Sequence, residues 1–474
     1  MYKIPTEFID KFTHLLGEKH ASELMSAYQE SPKKGFRLNP LKYDYTNVKY
    51  NLDHKIPYID NGYYGEISGN DSEWIGGYVY SQDPSAMYPA TIADIKPGEY
   101  VLDLCAAPGG KSTIIASKLK NEGVLVANEI SSKRAKELRE NLEKWGTSNV
   151  IITNESPERL VKKFKNFFDT IIVDAPCSGE GMFRKSDDAI KYWSQEYVLT
   201  CQSRQQNILN CAVDMLKNNG KLVYSTCTYS PEEDEQIVSW LMKEKKLKIQ
   251  TIPKSQGISD GHPEWTIEKF NDIKKTARFW IQDKIGEGQF AALLKKDVSQ
   301  CADSNLDMIT PPSKKIRSNI KNRIQVISKD EFKLINDILH QFNLPFYLSK
   351  QLDRAINKNN HIVIPALSDE KLKSLHIISN GIELGILKKN RFEPSHQLVY
   401  ILAQVKQNNV YNITNESDFK KYLHGETLQV EHPITYGYVL VAFEHHIFSF
   451  GKIGKDSILK NYYPKGLRLS LIHI

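Results

Sequence analysis

The 474-residue sequence lacks any run of about 18 apolar residues, so a membrane-spanning helix is not expected. Its first residues, MYKIPTEFIDKF, include acidic side chains and no apolar core, which argues against a secretory signal. The sequence has no strong excess of either charge: it contains 63 lysines and arginines and 57 aspartates and glutamates, which gives a net charge of +6. This mild basic excess is compatible with a nucleic-acid partner but does not require one.

The sequence also lacks paired cysteines. None of its six cysteines lies in a CxxC pair, and their spacings match neither a zinc ribbon nor a disulfide scaffold. Without a secretory signal, reduced thiols in a cytoplasmic protein are expected. His262 and His396 have no second ligand at a useful spacing, so no metal site is predicted. The cysteines are Cys105, Cys177, Cys201, Cys211, Cys227 and Cys301.

The length predicts a globular protein of about three domains. In the middle of the chain, β-rich apolar runs alternate with amphipathic helices, which predicts an α/β domain with a doubly wound, Rossmann-like parallel sheet. The predicted boundaries are an α+β region over 1–80, the α/β domain over 81–296, a polar linker over 297–325, a helix-containing unit over 326–392 and a β-rich unit over 393–474.

Within the α/β domain, the segment SSKRAKELRENLEKWG predicts a helix. It begins with serines that can cap a helix, places its apolar residues on one face and ends at Gly146. Near the N-terminus, Phe8 and Phe12 recur at helical spacing and predict a first helix. The predicted strands of the α/β domain lie at Tyr100–Leu102, Val124–Val126, Thr170–Val173 and Leu222–Tyr224.

A glycine-containing turn follows the first of these strands. The segment EYVLDLCAAPGGKST (99–113) predicts a strand ending at Asp103, a Pro-Gly-Gly turn and a helix from about Lys111. Glycines let a ligand approach the backbone, and a helix N-terminus offers free N–H groups. A Walker phosphate loop is excluded, because that motif needs a glycine where Cys105 stands.

Glu129 follows the next predicted strand. An acidic residue at this place typically binds ribose hydroxyls in doubly wound nucleotide folds. This acid, without a pyrophosphate-type GxGxxG loop, fits a nucleoside cofactor such as S-adenosylmethionine. On the residue pattern alone, another nucleotide or a glycine turn without a ligand stays open.

Two cysteines follow predicted strands at the sheet edge where α/β domains bind ligands. The segment DAPCSGEGMFRK places Asp174 and Cys177 there, and YSTCTYSPEEDEQIV places Cys227 after a later strand. Ser230 is predicted to cap the next helix. The first turn of that helix is predicted to hold Glu232, Glu233 and Asp234.

Thiols at such an edge suit methylation of cytosine. Carbon 5 of cytosine is too weak a nucleophile to take a methyl group until a thiolate adds to carbon 6. A base must later remove the proton on carbon 5, and an acid near N3 stabilises the adduct; Asp174 is the candidate acid. Lys111 is the candidate for lowering a thiol's pKa or contacting the base. The pattern alone does not decide which cysteine attacks.

The segments DLCAAPGGKST, VDAPCSGEG and YSTCTYSPEE together resemble the Nol/Nop/Sun family of RNA cytosine-5 methyltransferases. YSQDPSAM and GEGQFAALLKK extend the likeness from residue 80 to residue 296. The resemblance implies an S-adenosylmethionine-dependent enzyme that forms 5-methylcytosine in RNA. In that family the cysteine matching Cys227 is the nucleophile, and the one matching Cys177 assists breakdown of the covalent adduct.

The resemblance also implies the cofactor site. One departure concerns the acidic residue that the family usually has after the strand NVIIT, because Ser156 stands in its place. Adenine recognition is therefore expected from Asn154, Ser156 or backbone groups. Arg134 is expected beside the ribose. The other implied cofactor residues are Cys105, Ala106, Ala107, Pro108, Gly109, Gly110, Lys111, Glu129 and Asp174.

The C-terminal segments LGILKKNRFEPSHQLVYIL and FGKIGKDSILKNYYPKGLRL resemble the extra domains of the family's bacterial RsmF-like branch, the second a PUA-like RNA-binding domain. Arg37–Pro40 resembles the family's substrate-positioning region. Arg184, Lys185 and Arg204 are weaker candidates for phosphate contacts, for which plain surface charge is an equal alternative. Phosphate contacts and stacking surfaces in the last segment are predicted from Lys452, Lys455, Lys460, Lys465, Arg468, Phe450, Tyr462 and Tyr463.

By this resemblance the substrate is 16S ribosomal RNA or the small ribosomal subunit, bound by a monomer. A transfer-RNA cytosine-5 methyltransferase is the alternative within the family. A ribosome-assembly factor that binds cofactor and RNA without turnover is the alternative outside enzymes. The presence of both strand-end cysteines, Asp174 and Lys111 counts against that last alternative.

Overall fold

The computed structural model describes residues 3–297, 324–325, 327–431 and 436–468. Apart from its ends, the predicted linker lies outside these residues, as does Cys301. Within the described residues, no helix is both long and apolar enough to cross a lipid bilayer.

The N-terminal region combines a helix with a small antiparallel sheet of order β2-β1-β3. The predicted first helix is confirmed, and it buries Phe8 and Phe12. Gly17 interrupts the helical geometry with φ 80° and ψ 161°. The elements are α1 (Thr6–Ala27), β1 (Gly35–Leu38), β2 (Gly62–Tyr64), α2 (Ser72–Ile75) and β3 (Val79–Ser81).

The central domain confirms the predicted alternation of strands and helices, including all four predicted strands. Its elements are α3 (Pro84–Met87), α4 (Pro89–Ile92), β4 (Tyr100–Asp103), α5 (Gly110–Leu119), β5 (Val124–Asn128), α6 (Ser132–Trp145), β6 (Val150–Thr153), α7 (Pro157–Phe164), β7 (Phe168–Asp174), α8 (Asp187–Tyr192), α9 (Gln195–Met215), β8 (Leu216–Thr226), α10 (Glu235–Glu244), β9 (Lys248–Ile249), β10 (Ile258–Asp260), β11 (Ala277–Phe279) and β12 (Gln289–Lys295).

The central strands form a ten-stranded sheet of order β10-β11-β12-β8-β7-β4-β5-β6-β16, with β9 paired to β12. Strands β4 to β8 run parallel, whereas β10, β11 and β12 are antiparallel additions. The chain order reverses between β4 and β7, and open α/β sheets bind ligands at the carboxyl ends of the strands at such a point. Asp103 and Asp174 end these two strands.

Successive residues of the central strands face opposite sides of the sheet, so each side has its own apolar core. Val101 lies in the core beneath α5 and α6, which includes Leu138. Leu102 lies in the core beneath α7 and α9, which includes Leu160. Both faces are thus covered by helices, and the long apolar strand sequences follow from burial on both sides.

Helix α6 begins and ends as predicted. The Ser131 side chain accepts a hydrogen bond from the Arg134 N–H at the helix start. Gly146 closes the helix in a left-handed conformation with φ 87°, which glycine adopts without steric cost. Since Arg134 lies in the first turn, this cap also fixes where its side chain leaves the helix.

The C-terminal half contains two five-stranded sheets, of order β13-β14-β15-β17-β18 and β19-β21-β22-β23-β20. Its elements are β13 (Ile324–Gln325), α11 (Lys329–Leu339), α12 (Phe346–Ser349), β14 (Ile356–Lys358), β15 (His361–Ile364), α13 (Asp369–Leu372), β16 (Ile377–Asn380), β17 (Ile382–Lys388), β18 (Arg391–Pro394), α14 (His396–Leu402), β19 (Val410–Ile413), α15 (Glu416–His424), β20 (Leu428–Gln429), β21 (Gly437–Phe443), β22 (His446–Ile453) and β23 (Ile458–Asn461). The predicted β-rich end of the chain is confirmed.

One C-terminal strand belongs to the central sheet. Strand β16 pairs antiparallel with β6, with Ile377 opposite Thr153. The backbone continues this contact beyond the strands, because Asn154 N donates to His376 O over 3.0 Å and His376 N donates to a Glu155 carboxylate oxygen over 2.6 Å. The sequence-based domain boundaries stay predictions. The central sheet extends across the predicted boundary at residue 296, because β16 belongs to it.

Candidate active site

The glycine turn after β4 is fixed by its own polar groups. Gly109 has φ 116°, in the left-handed region that favours glycine, and α5 begins at Gly110. Ser112 Oγ donates to Asp103 Oδ2 over 2.6 Å. The second oxygen of Asp103 is buried without a hydrogen-bond partner among the described residues. Burial and the nearby carboxylate of Asp174 raise the pKa of Asp103 to about 7.

Arg134 joins Glu129 to the glycine turn. Arg134 Nη1 lies 3.4 Å from Glu129 Oε2, and Nη2 donates to Ala107 O over 2.5 Å. The backbone N–H of Ser131 donates to Glu129 Oε1 over 2.9 Å. The buried Glu129 carboxylate is therefore held at the end of β5, beside the turn, as expected of a ribose ligand.

Asn154 and Ser156 lie in the loop after β6, beside Glu129. The Asn154 side-chain amide donates to the backbone carbonyls of Glu129 (2.7 Å) and Ile130 (2.8 Å). Ser156 starts α7, and its side chain makes no capping hydrogen bond. The amide of Asn154 thus shapes the Glu129 turn, whereas the Ser156 hydroxyl is not engaged in a cap.

Sequence reasoning overlooked Ile130. This side chain is 69% exposed and directly follows Glu129. A large apolar side chain that reaches solvent beside polar ligand groups is a natural wall for a flat, apolar ring face. The signal was present in the sequence as an isoleucine immediately after the predicted ribose acid.

The two strand-end cysteines meet. Cys177 Sγ lies 3.3 Å from Cys227 Sγ, although 50 residues separate them in the chain. The pairing of β7 with β8 continues past the strand ends, because Ala175 N donates to Ser225 O over 2.8 Å. Contact with Cys227, followed by burial, raises the pKa of the Cys177 thiol. Cys177 is therefore held as a protonated thiol next to Cys227.

Asp174 stands in a hydrogen-bonded pair with Lys111. Lys111 Nζ donates to Asp174 Oδ2 over 2.7 Å, with side-chain exposures of 10% and 31%. The other carboxylate oxygen accepts from Ser225 Oγ over 2.7 Å and from Gln289 Nε2 over 3.5 Å. The contact of Lys111 with Asp174 was not among the roles predicted for it, and those roles stay predictions. Ser225 and Gln289 are orienting residues that sequence reasoning did not single out.

The prediction for Ser230 was wrong. Helix α10 begins at Glu235, and its N-cap is Asp234, which makes no side-chain cap. Ser230 Oγ instead donates to Glu180 Oε1 over 2.5 Å. The predicted first-turn acids Glu232, Glu233 and Asp234 precede the helix and lie in the loop after Cys227.

Arg184 is not available to phosphate. Its guanidinium donates to both carboxylate oxygens of Glu287, over 2.7 and 2.9 Å, and its side chain is only 3% exposed. Lys185 pairs with Asp83 over 2.8 Å. The prediction of a phosphate contact at Arg184 was wrong, since the buried bidentate pair with Glu287 neutralises its charge.

Arg37 is also buried, and it contacts the cofactor-side helix. Its guanidinium lies between the rings of Tyr80 and Trp145, 5.2 and 5.1 Å from their centroids. Nη2 donates to Gly110 O over 3.0 Å and to Thr113 Oγ1 over 2.6 Å. Burial lowers the pKa of Arg37 to about 9. The N-terminal region thus holds the start of α5 through this side chain.

The C-terminal aromatic residues divide into core and surface. Phe450 and Tyr463 are buried, so the prediction that they form stacking surfaces was wrong. Tyr462 is partly exposed and lies 5.2 Å from the ring of Tyr438, which Lys452 Nζ covers at 5.1 Å. Tyr438 itself is buried, so Tyr462 and Lys452 are the members of this group open to stacking and phosphate contact.

The histidines considered for metal binding have other partners. His262 lies 2.8 Å from a Glu264 carboxylate oxygen and stacks on Trp265 with centroids 3.8 Å apart. His396 Nε2 lies 3.0 Å from the Tyr400 hydroxyl. Burial lowers the pKa of His396 to about 3, so it remains neutral.

A doubly wound sheet with a glycine turn, a ribose-type acid and further acids at its switch point defines an α/β enzyme of the methyltransferase class. Residues 90–295 match the 16S rRNA methyltransferase RsmB/F family. Residues 4–84 match the N-terminal domain of 16S rRNA methyltransferase RsmF, residues 341–402 the RsmF first C-terminal domain and residues 412–469 the methyltransferase RsmF PUA domain.

The chain is 30% identical to a ribosomal RNA small subunit methyltransferase F of Vibrio parahaemolyticus, covering 98% of this chain and 97% of that protein. It is 28% identical to the protein of the same name in Escherichia coli O157:H7, over 94% and 92% of the two chains. A crystal structure of a methyltransferase homolog from Pyrococcus horikoshii is 30% identical, with a TM-score of 0.54, covering 62% of this chain and 95% of that one. The chain therefore belongs to the RsmB/F methyltransferase family.

Proposed function

We propose that this enzyme uses S-adenosylmethionine to methylate carbon 5 of cytosine in 16S ribosomal RNA, with Cys227 as covalent nucleophile. The observation that carries the proposal is the pair of thiols 3.3 Å apart at the ends of two parallel strands, beside the Asp174–Lys111 pair. The relatives' printed names support ribosomal RNA of the small subunit as substrate. The proposed setting is the cytoplasm, where thiols stay reduced, and the proposed active form is a monomer.

The charges of the cleft fit S-adenosylmethionine. Three carboxylates, Asp103, Glu129 and Asp174, act on one another electrostatically around the glycine turn. The cofactor carries a sulfonium and an ammonium group, both positive, and buried acids stabilise such charges. Asp103 also has a buried oxygen without a partner, which suits a donor on the ligand. The cofactor supplies the methyl group when bound; Glu129 would hold its ribose and Ile130 would face its adenine.

The first chemical step belongs to Cys227. Its thiolate forms a bond to carbon 6 of cytosine, and the displaced electron pair is met by a proton at N3. Both oxygens of Asp174 accept hydrogen bonds, so Asp174 would deliver that proton as a relay, taking one from the Lys111 ammonium that donates to it over 2.7 Å. Carbon 5 then carries the electron density needed to take the methyl group.

The last step releases the enzyme. When the carbon-5 proton leaves to a base, the C5–C6 double bond re-forms and the bond between carbon 6 and Cys227 Sγ breaks. Cys177 remains protonated because its pKa is raised, so its thiol can donate a hydrogen bond to the departing thiolate 3.3 Å away. In this proposal attack and release belong to different thiols, as the family resemblance implies.

The substrate is tested by bisulfite sequencing of RNA treated with the purified enzyme and S-adenosylmethionine. Naked 16S ribosomal RNA, assembled small subunits and bulk transfer RNA are compared. We expect a protected cytosine in one of the two ribosomal substrates and none in transfer RNA. Protection in transfer RNA alone would contradict the ribosomal substrate and support a transfer-RNA cytosine-5 methyltransferase instead. A heat-inactivated enzyme is the control for pre-existing methylation.

The cofactor site is tested by replacing Glu129 with glutamine. The variant keeps the size of the side chain but loses the charge that pairs with Arg134 and accepts ribose hydroxyls. Hydrogen bonds to a charged group contribute about 1.5–3 kcal/mol, so we expect the Kd for S-adenosylmethionine to rise about 10- to 100-fold. Isothermal titration calorimetry measures this. Glu143→Gln, in the same helix as Arg134 but paired with Arg139, is the matched control and should bind as the parent does. An unchanged Kd in Glu129→Gln would remove Glu129 from the cofactor site.

A further inference from the structure

Each thiol lies in a loop that follows a strand. The Cys177 loop comprises residues 175–182, after β7, and the Cys227 loop comprises residues 227–234, before α10. Gly181 N in the first loop donates to Cys227 O in the second over 2.9 Å. Ser178 Oγ lies 2.7 Å from Thr228 Oγ1. The two loops therefore form one hydrogen-bonded unit.

Glu233 belongs to the Cys227 loop but binds the Cys177 loop. Its carboxylate accepts a hydrogen bond from Ser178 N over 3.0 Å and another from Ser178 Oγ. Gln205 Nε2, from α9, donates to the same carboxylate over 2.7 Å and to Pro176 O over 3.1 Å. The residues on both sides of Cys177 are thus tied to Glu233, directly or through Gln205.

Glu180 belongs to the Cys177 loop but binds the Cys227 loop. Its Oε2 accepts from Tyr229 N over 2.9 Å, and its Oε1 accepts from Ser230 Oγ over 2.5 Å. Trp193 Nε1 also donates to Oε1, over 2.8 Å. Together with the bond from Gly181 N to the Cys227 carbonyl, these contacts restrain the backbone around Cys227. Each loop thus supplies a carboxylate that binds the other loop.

Neither carboxylate is part of an ordinary ion pair. Both side chains are completely buried, and within the described ranges neither pairs with a lysine or arginine. Burial, with a contribution from Glu180, raises the pKa of Glu233 to about 8. Burying an acid without a counter-ion costs free energy that hydrogen bonds only partly offset. Stability alone does not explain why two such groups stand behind the thiols.

We propose that Glu233 and Glu180 are crossed positioning residues, in that Glu233 holds Cys177 for release of the product and Glu180 holds Cys227 for attack. The proposal rests on the covalent function proposed above. Proximity in the chain predicts the opposite assignment, since Glu180 follows Cys177 and Glu233 follows Cys227. The crossing therefore has a distinct signature, because loss of each glutamate should resemble loss of the cysteine in the other loop.

The test measures two quantities in the full-length enzyme under single-turnover conditions with radiolabelled S-adenosylmethionine and the RNA substrate. One is the rate of methyl transfer, and the other is the fraction of RNA bound covalently on a denaturing gel. For Glu233→Ala we expect an unchanged first methyl transfer, accumulated adduct and turnover slowed about 100-fold, because a misplacement of about 1 Å costs that much. For Glu180→Ala we expect methyl transfer slowed about 100-fold without accumulated adduct.

Conservative variants separate positioning from folding. Glu233→Gln keeps an acceptor oxygen for Ser178 N and is expected to restore turnover. Ser178→Ala removes one of the two Ser178 contacts and should accumulate adduct to a smaller extent, which preserves the test if Glu233→Ala does not fold. Glu268→Ala is the control, because the Glu268 carboxylate accepts from Ser239 (2.7 Å) and Lys243 (2.9 Å) on α10 and binds neither thiol loop.

Two results would overturn the crossed assignment. One is that Glu233→Ala loses methyl transfer and adduct together or that Glu180→Ala accumulates adduct. The other is that both variants, once shown to be folded by circular dichroism, have the methyl-transfer rate and the adduct fraction of the parent enzyme. A failure of the covalent function itself is seen separately, as methyl transfer by Cys227→Ala with both glutamates intact.

Discussion

Cys227→Ala is expected to abolish both RNA methylation and the covalent enzyme–RNA adduct. Without the thiolate, carbon 5 of cytosine never gains the electron density that methyl transfer requires. Removal of a catalytic nucleophile commonly costs several powers of ten, so we expect methyl incorporation to fall about 10⁴-fold or more. Incorporation of radiolabelled methyl groups into RNA measures the loss, and a denaturing gel measures the adduct.

Binding should survive this substitution. The proposed cofactor residues Glu129, directly after β5, and Arg134, in α6, bind each other and the glycine turn, so affinity for S-adenosylmethionine should match that of the parent. Cys211→Ala is the matched cysteine control, because Cys211 lies later in α9 and packs on the core beneath α7. Methylation that persists in Cys227→Ala at the parent rate would show that another group attacks the base.

Cys177→Ala is expected to trap the covalent adduct. Attack by Cys227 and methyl transfer proceed, but the departing thiolate loses the thiol 3.3 Å away that would stabilise it by a hydrogen bond. General acid–base groups contribute about 10²- to 10⁴-fold, and steady-state turnover should fall by such a factor while the first turnover keeps its rate. A protein–RNA band that withstands denaturation, containing labelled methyl groups, is the expected product.

The double variant Cys177→Ala/Cys227→Ala separates trapping from tight binding. It should show no denaturation-resistant band, because the bond that Cys177→Ala preserves cannot form. A band in the double variant would mean that a residue other than Cys227 is bonded to RNA. Free turnover in Cys177→Ala without a band would mean that Cys177 has no part in release.

Local sequence patterns located the edge of the sheet where the chemistry lies. Asp103, Asp174 and Cys227 follow apolar runs that predict strands. Since parallel strands bring their carboxyl ends to one edge of the sheet, the predicted strand ends already indicate which residues line the cleft. The helix over 132–145 was equally predictable, because its cap, its face and its stop are all encoded within the segment itself.

Contacts between distant segments were not predictable in this way. Ser230 has the local sequence of a helix cap, yet its hydroxyl binds Glu180, 50 residues earlier in the chain. Arg184 looked like a free basic side chain, yet its partner Glu287 follows 103 residues later. The separation of the two thiols, too, depends on the register between β7 and β8, in which Asp174 pairs with Ser225.

The strand that the C-terminal half contributes to the central sheet gives the two halves a shared boundary. Strand β16 covers the outer edge of β6. Before it, His376 O accepts from Asn154 N, and His376 N donates to the Glu155 carboxylate. An uncovered strand edge exposes unpaired N–H and C=O groups and invites association with other chains. A fragment ending after β12 would therefore expose the edge of β6 to association and remove the hydrogen bonds that hold Asn154 and Glu155. Recombination that exchanges the C-terminal half must preserve this one short strand, whichever RNA the new half recognises.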